Sequence, residues 1–297
     1  MKFFDLIGYR PLPEVHQDHA ELASLEADLM KAVGGPERFE EKLRSFFRSA
    51  IDEVIDTART GRHFFKQLEK TEKTYLGTKF EILLRDWLQV PRGVRLDLLI
   101  GEREVDVKST TGGGSGWMIP PEAIDQFCIL LRVNEASAKC AFGLVRARQG
   151  YLRDSKNRDA KTSFSAAGTA NIWWLVSDFE YTPNFWALID EPLQRQIMSA
   201  GKGTKRLATL FENCLGVPVS RVQVAAIAAQ DDYMKRIRRN GGARDLLAPK
   251  GIAILYSESD RNLMVRLGLK FGFREFVSCS PENAEQESWL REAGHID

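Results

Sequence analysis

Two aspartates and a lysine, Asp97, Asp106 and Lys108, stand where one short hairpin would aim all three at a single point. The runs 94–100 and 103–109 are rich in strand formers, and Gly101-Glu102 between them is a Gly-X pair suited to a two-residue turn. That turn pairs residue 100 with 103, 99 with 104, 98 with 105 and 97 with 106. Asp97 then faces Asp106 with Cβ atoms about 4.5–5.5 Å apart, and Lys108 shares their exposed strand face through the period of two. Carboxylates that close repel unless a cation offsets them, and oxygen ligands are what Mg²⁺ prefers. The arrangement suits metal-dependent phosphodiester hydrolysis. Asp-Val-Lys alone is a common tripeptide that a solvated strand face would also carry. The opposed second aspartate is what favours chemistry.

Elements must hold these groups in place. Leu76, Phe80, Leu83, Leu84, Trp87 and Leu88 recur at helical spacing and predict a helix over 71–90 with one apolar face. Glu81, beside Phe80 at the edge of that stripe, is a third carboxylate within reach of a sheet rim, or an ordinary flanking glutamate. Residues 12–60 read as packing helices ending near Arg59-Thr60-Gly61. Apolar runs at 126–133, 139–146 and 171–177 read as strands. The order of elements predicts an α/β core around one sheet.

Periodicity lapses at Asp190-Glu191-Pro192 and again at Ser199 to Gly203, which divides the chain into domains at 1–190 and 200–297. In the second, 205–215 reads as a helix, and Gly216-Val217-Pro218 breaks it. Ser220 with Gln223 resembles a capping box for another helix that runs to about Arg239 and stops at Asn240-Gly241-Gly242. A strand at 252–256 completes the pattern of a winged helix-turn-helix. Between Arg195 and Arg244 there are ten basic and three acidic residues, although the whole chain has a net charge of only +1. Lys235, Arg236, Arg238, Arg239 and Arg244 crowd the end of that segment. An excess of this length is an electrostatic footprint for DNA, whereas one helix turn of cations would merely complement its dipole.

Composition sets the bounds. A chain of 297 residues with 43% hydrophobic content supports at least one substantial core. No run of about 18 apolar residues occurs, and the start does not resemble a signal peptide, so a cytoplasmic protein without a membrane segment is expected. Cys128, Cys140, Cys214 and Cys279 are too scattered for structural zinc or a disulfide framework. His16-Gln17-Asp18-His19 lacks the partners of a metal set. No G-x-S-x-G, P-loop or dinucleotide fingerprint is present. Residues 110–116 form a glycine-rich stretch that serves as a connector or lets backbone approach a phosphate strand.

Longer matches add to this reading. They comprise Gln67-Leu68-Glu69-Lys70-Thr71-Glu72-Lys73-Thr74 with Gly77-Thr78 and Glu81, then Asp97, Asp106-Val107-Lys108 and Gly116-Trp117-Met118-Ile119-Pro120-Pro121-Glu122. Asn157-Arg158-Asp159 follows, then Gln230 to Arg236, Gly241-Gly242-Ala243-Arg244 and Pro249-Lys250-Gly251-Ile252. In these stretches, which span roughly residues 55–256 in order, the sequence resembles the NaeI-type restriction endonucleases.

The resemblance implies an α/β restriction-endonuclease-like core of the PD-(D/E)xK type. It implies in addition a C-terminal winged helix-turn-helix domain of the catabolite-activator type, which binds a second copy of the site and activates cleavage. The implied catalytic set is Glu81, Asp97, Asp106 and Lys108. Asp97, Asp106 and the Val107 carbonyl would hold one Mg²⁺, with Glu81 anchoring a second ion or a bound water, and Lys108 would orient the attacking water or stabilise phosphoryl charge. Lys70, Lys73, Trp117 and Arg158 would meet DNA alongside the basic residues of the second domain. Leu96 stands where the motif often has proline, and Val107 where the best-known member has cysteine. The N-terminal extension is longer and the tail divergent. None of these departures touches the charged set. Cutting both strands of a symmetric duplex site favours a homodimer. A strand-nicking repair enzyme of the MutH kind shares the same chemistry, and a non-cleaving DNA-binding regulator is the rival without it.

Overall fold

Gly101 takes a positive φ of 61°, and the strands on either side of it pair Ile100 with Arg103, Leu99 with Glu104 and Leu98 with Val105, in the register expected from the turn. The structure, a computed structural model, describes residues 8–112, 114, 116–155, 157–230 and 232–297. Gly113, Ser115 and Asp231, which fall within stretches singled out above, lie outside the described residues. The helices are α1 (His19–Val33), α2 (Pro36–Ile55), α3 (Thr57–Thr60), α4 (Lys70–Leu88), α5 (Glu191–Ser199), α6 (Gly203–Asn213), α7 (Arg221–Ala228), α8 (Tyr233–Ile237), α9 (Ala243–Leu247), α10 (Arg261–Arg266) and α11 (Ala284–Glu292). The strands are β1 (Leu98–Ile100), β2 (Arg103–Thr111), β3 (Met118–Ile119), β4 (Phe127–Asn134), β5 (Lys139–Arg146), β6 (Thr162–Ser163), β7 (Trp173–Glu180), β8 (Val219–Ser220), β9 (Ala253–Tyr256) and β10 (Glu275–Cys279).

The chain forms two compact units, and they do not follow a single cut near 190–200. One comprises the residues up to Glu40 with Lys70–Tyr181; the other comprises Glu41–Glu69 with Thr182–Asp297. In the first, a five-stranded sheet runs in the order β1-β2-β4-β5-β7. Only β2 and β4 are parallel, which requires the crossover through β3 that joins them. The apolar stripe of α4 buries Leu76, Phe80, Leu84, Trp87 and Leu88. Gly77 lets α4 lie close on β2, since a Cβ there would come within 3.2 Å of the Ser109 hydroxyl. Phe39 stacks on Trp87 and meets Phe142 edge-on, so helix and sheet share one core.

The second unit surrounds a small antiparallel sheet, β8-β10-β9. Its main core gathers Trp186, Leu207, Phe211, Val224, Ile227 and Phe276. Residues 41–69 join it for a polar reason. Arg48 and Asp52 form a buried ion pair with 2.7 Å between Nε and Oδ1, and the Ser220 hydroxyl donates to Asp52 Oδ2 at 2.8 Å. Such a pair left without its partners is expensive, so helix α2 from Glu41 onward is bound to the later segments.

The long basic helix expected to reach about Arg239 is instead two short ones. Ser220 caps α7, its hydroxyl accepting from the Gln223 N–H, but the helix ends at Ala229, where φ is 49°. Gly203, the first residue of α6, lies so close to the Ala228 carbonyl that a Cβ would be 2.6 Å from its oxygen. Helix packing thus overrides the local helix signal at this point. Arg238 and Arg239 follow α8 rather than lining one continuous helix.

Candidate active site

Asp97 sits immediately before β1, and its Oδ2 accepts the Val107 N–H at 2.8 Å, which locks the approach of the loop to β2. The Lys108 ammonium lies 2.8 Å from Asp106 Oδ1, 2.7 Å from Oδ2, 3.1 Å from the Val107 carbonyl oxygen and 4.0 Å from Asp97 Oδ2. One cation is therefore surrounded by two carboxylates and a carbonyl. It occupies the space between like charges that the hairpin register demanded.

Asp106 is not on an exposed strand face, as the strand alternation suggested; it is 4% exposed. Val105, Asp106 and Val107 are all buried because β2 lies between β1 and β4 and carries α4. Burial raises the Asp106 carboxyl to about 6 against the pull of Lys108, with Asp97 adding to the rise. Glu81, in the middle of α4, is raised to about 7, first by burial and then by the negative charge of Asp97, while Lys108 opposes the rise. Burial alone would lower the Lys108 ammonium, but Asp106 and Asp97 override it and the net shift is upward. Glu81 feels the field of the pair without completing a cage. Among the described residues no three His, Cys, Asp or Glu side chains are close enough to hold a metal ion.

Glu104 is a participant that the sequence did not announce. Its Oε1 accepts from the Arg95 N–H at 3.1 Å and from the Val94 N–H at 2.5 Å, clamping the loop that delivers Asp97. Nothing in the local pattern marks it, because its partners lie nine and ten residues away. Cys128 pairs with Asp106 across β2 and β4, and burial with the nearby acid holds its thiol well above the ordinary range.

A family model described as restriction endonuclease NaeI matches residues 37–287. The chain belongs to that family. The type II restriction enzyme NaeI of Lentzea aerocolonigenes is 33% identical over 267 residues, covering 87% of this chain and 80% of the relative. Membership in the NaeI family makes the chain an endonuclease of the restriction type, and Glu81, Asp97, Asp106 and Lys108 all fall within the matched span.

The residues expected to meet DNA are disposed unevenly. Lys70 is exposed at the start of α4, and Lys73 is half-buried one turn on. Arg158 is exposed in a loop where Asn157 Oδ1 accepts the Asp159 and Lys161 N–H groups. Trp117 is a correction: it is 0% exposed, packs with Ile119, Leu130 and Val145, and its indole N–H donates to the Leu131 carbonyl at 2.8 Å. It is core, because the crossover from β2 to β4 folds an aromatic plug onto the sheet. In the second unit, Lys235 and Arg236 are within ion-pair distance of Asp232, at 3.7 and 3.2 Å. Arg238 and Arg239 are exposed. Arg244 is partly buried. Burial lowers its pKa, and the guanidinium lies 3.6 Å from Asp260, which also accepts the Tyr256 N–H. Its side chain is 22% exposed, so the guanidinium is held partly back from solvent beside Asp260.

Proposed function

We propose that this endonuclease uses Mg²⁺ to hydrolyse phosphodiester bonds in both strands of a palindromic duplex site, acting as a homodimer. We propose further that its second unit, read as a winged helix-turn-helix, binds another DNA site and stimulates cleavage. A single observation carries the reading: the cation-centred cluster in which Asp97, Asp106 and the Val107 carbonyl surround the Lys108 ammonium. That these oxygens already hold a cation supports the reading, and they are the hard donors that Mg²⁺ selects. Asp97, Asp106 and the Val107 carbonyl, which converge on the Lys108 ammonium, are the residues that would hold the ion. When bound, Mg²⁺ lowers the pKa of coordinated water and neutralises charge developing on the phosphoryl oxygens.

The chain's own groups supply the rest. Asp97 is fixed by the Val107 N–H and Glu104 fixes its loop, so the carboxylate is in place before substrate arrives. Lys108, kept protonated by its two acids, is a cation that orients water and meets phosphoryl charge. The Glu81 carboxyl titrates at about 7, near enough to neutrality to exchange a proton with a neighbouring water.

Plasmid DNA incubated with Mg²⁺ is the test. The expected products are linear fragments with defined ends, and Lys108→Ala should slow their formation by roughly 10²–10³-fold or more. Nicked circles alone would replace the double-strand reading with that of a repair nickase. Binding without any cleavage would leave a DNA-binding regulator.

A further inference from the structure

Helix α1 carries an acid where its core face calls for an apolar residue. Leu22, Leu25, Leu29, Met30 and Val33 are buried along that face, and Glu26, four residues after Leu22, is buried with them at 6% exposure. It accepts a hydrogen bond from the Tyr9 hydroxyl at 3.2 Å and forms no ion pair among the described residues. A buried carboxylate without a cation is unfavourable by several kcal/mol, so such a group is neutral or awaits a partner.

Glu26 lies in the wall of an open cavity of about 630 Å³, a volume typical of small-molecule sites. Pro11, Ala23, Ala27, Met30 and Pro36 line it together with the aromatic rings of Tyr9, His19 and Trp173. His19 and Trp173 are tilted against each other with centroids 5.2 Å apart. An apolar chamber with aromatic walls and one buried acid matches an organic ammonium, whose charge meets the carboxylate and whose body meets the rings. Trp173 belongs to β7, at the edge of the sheet opposite β1, so the cavity shares no element with the Asp97–Asp106–Lys108 cluster.

We propose that this cavity is a binding site for a small organic cation, a primary ammonium carried on an apolar body, with Glu26 as its counter-ion. The inference is independent of the nuclease reading. Burial holds the Glu26 carboxyl at about 7, so affinity rises as pH increases through neutrality. The other titratable groups of the lining are Tyr9, His19 and Lys31.

Titration calorimetry with phenethylamine, and with 2-phenylethanol as its neutral counterpart, tests the proposal on the full chain. The amine should bind more tightly than the alcohol by roughly tenfold or more, the measure of a charge-assisted hydrogen bond. Glu26→Gln, an isosteric neutral change, should erase that preference together with its pH dependence. Ala27→Phe should block both ligands by filling the mouth while leaving Glu26 intact, and should leave DNA cleavage unchanged. Equal binding of amine and alcohol by the wild type would overturn the proposal, as would an undiminished preference in folded Glu26→Gln or no amine binding at millimolar concentration.

Discussion

Replacing Glu81 by Gln should change how the metal-free protein responds to pH, and the size of the effect follows from the site. The Glu81 carboxyl titrates at about 7 in the folded chain against 4.5 for the ordinary group. The folded state therefore keeps the proton to higher pH than the unfolded chain does. Stability contributed by the protonated acid is fully present below about pH 4.5 and is lost as pH rises to about 7, where burial and the Asp97 charge oppose ionisation. The whole gap corresponds to about 3 kcal/mol, and Glu81's partial exposure reduces it to about 1–2 kcal/mol. Glu81→Gln cannot ionise and escapes this loss. Between about pH 5 and pH 8 its stability should improve relative to the wild type by that amount, a relative gain in Tm of roughly 2–8 °C for a unit of this size. Thermal unfolding in chelator at several pH values, wild type and variant side by side, cancels the titrating groups that do not interact with Glu81. Parallel curves would refute the argument, because they would mean that Glu81 neither is desolvated nor feels Asp97.

Four further outcomes are expected. Trp117→Ala should cost about 3–5 kcal/mol in urea unfolding through the core volume it removes, while the salt dependence of DNA binding by the folded variant stays as in the wild type. Asp52→Ala should cost about 3–5 kcal/mol because it removes the carboxylate paired with the buried Arg48 guanidinium and the acceptor of the Ser220 hydroxyl, and hydrogen exchange should show the second unit loosening, residues 41–69 included. Replacing Arg238 and Arg239 together by alanine should lower the log–log salt slope of DNA binding by about 0.9 for each phosphate that is no longer neutralised. Arg244→Ala should instead act chiefly on stability, measured by the same unfolding assay, because its guanidinium is paired with Asp260.

Short-range order was legible in the residues themselves. The Gly101 turn and the period of two set the hairpin register from Ile100–Arg103 to Leu98–Val105, the stripe from Leu76 to Leu88 set the helix that carries Glu81, and Gly61 marked the end of the N-terminal helices. Each depends on neighbours within a turn or a hairpin, where spacing alone fixes geometry. Burial and electric field depend instead on segments far away in the chain. Asp106 is buried because β4, about twenty residues on, runs parallel to β2. Trp117 is core because the crossover returns it to the sheet; α7 stops at Ala229 where α6 packs against its end; residues 41–69 join the second unit through Asp52 and Ser220. Residue types and spacing thus named the groups able to hold a cation. Only the tertiary structure decided which of them are desolvated, and desolvation sets their charge.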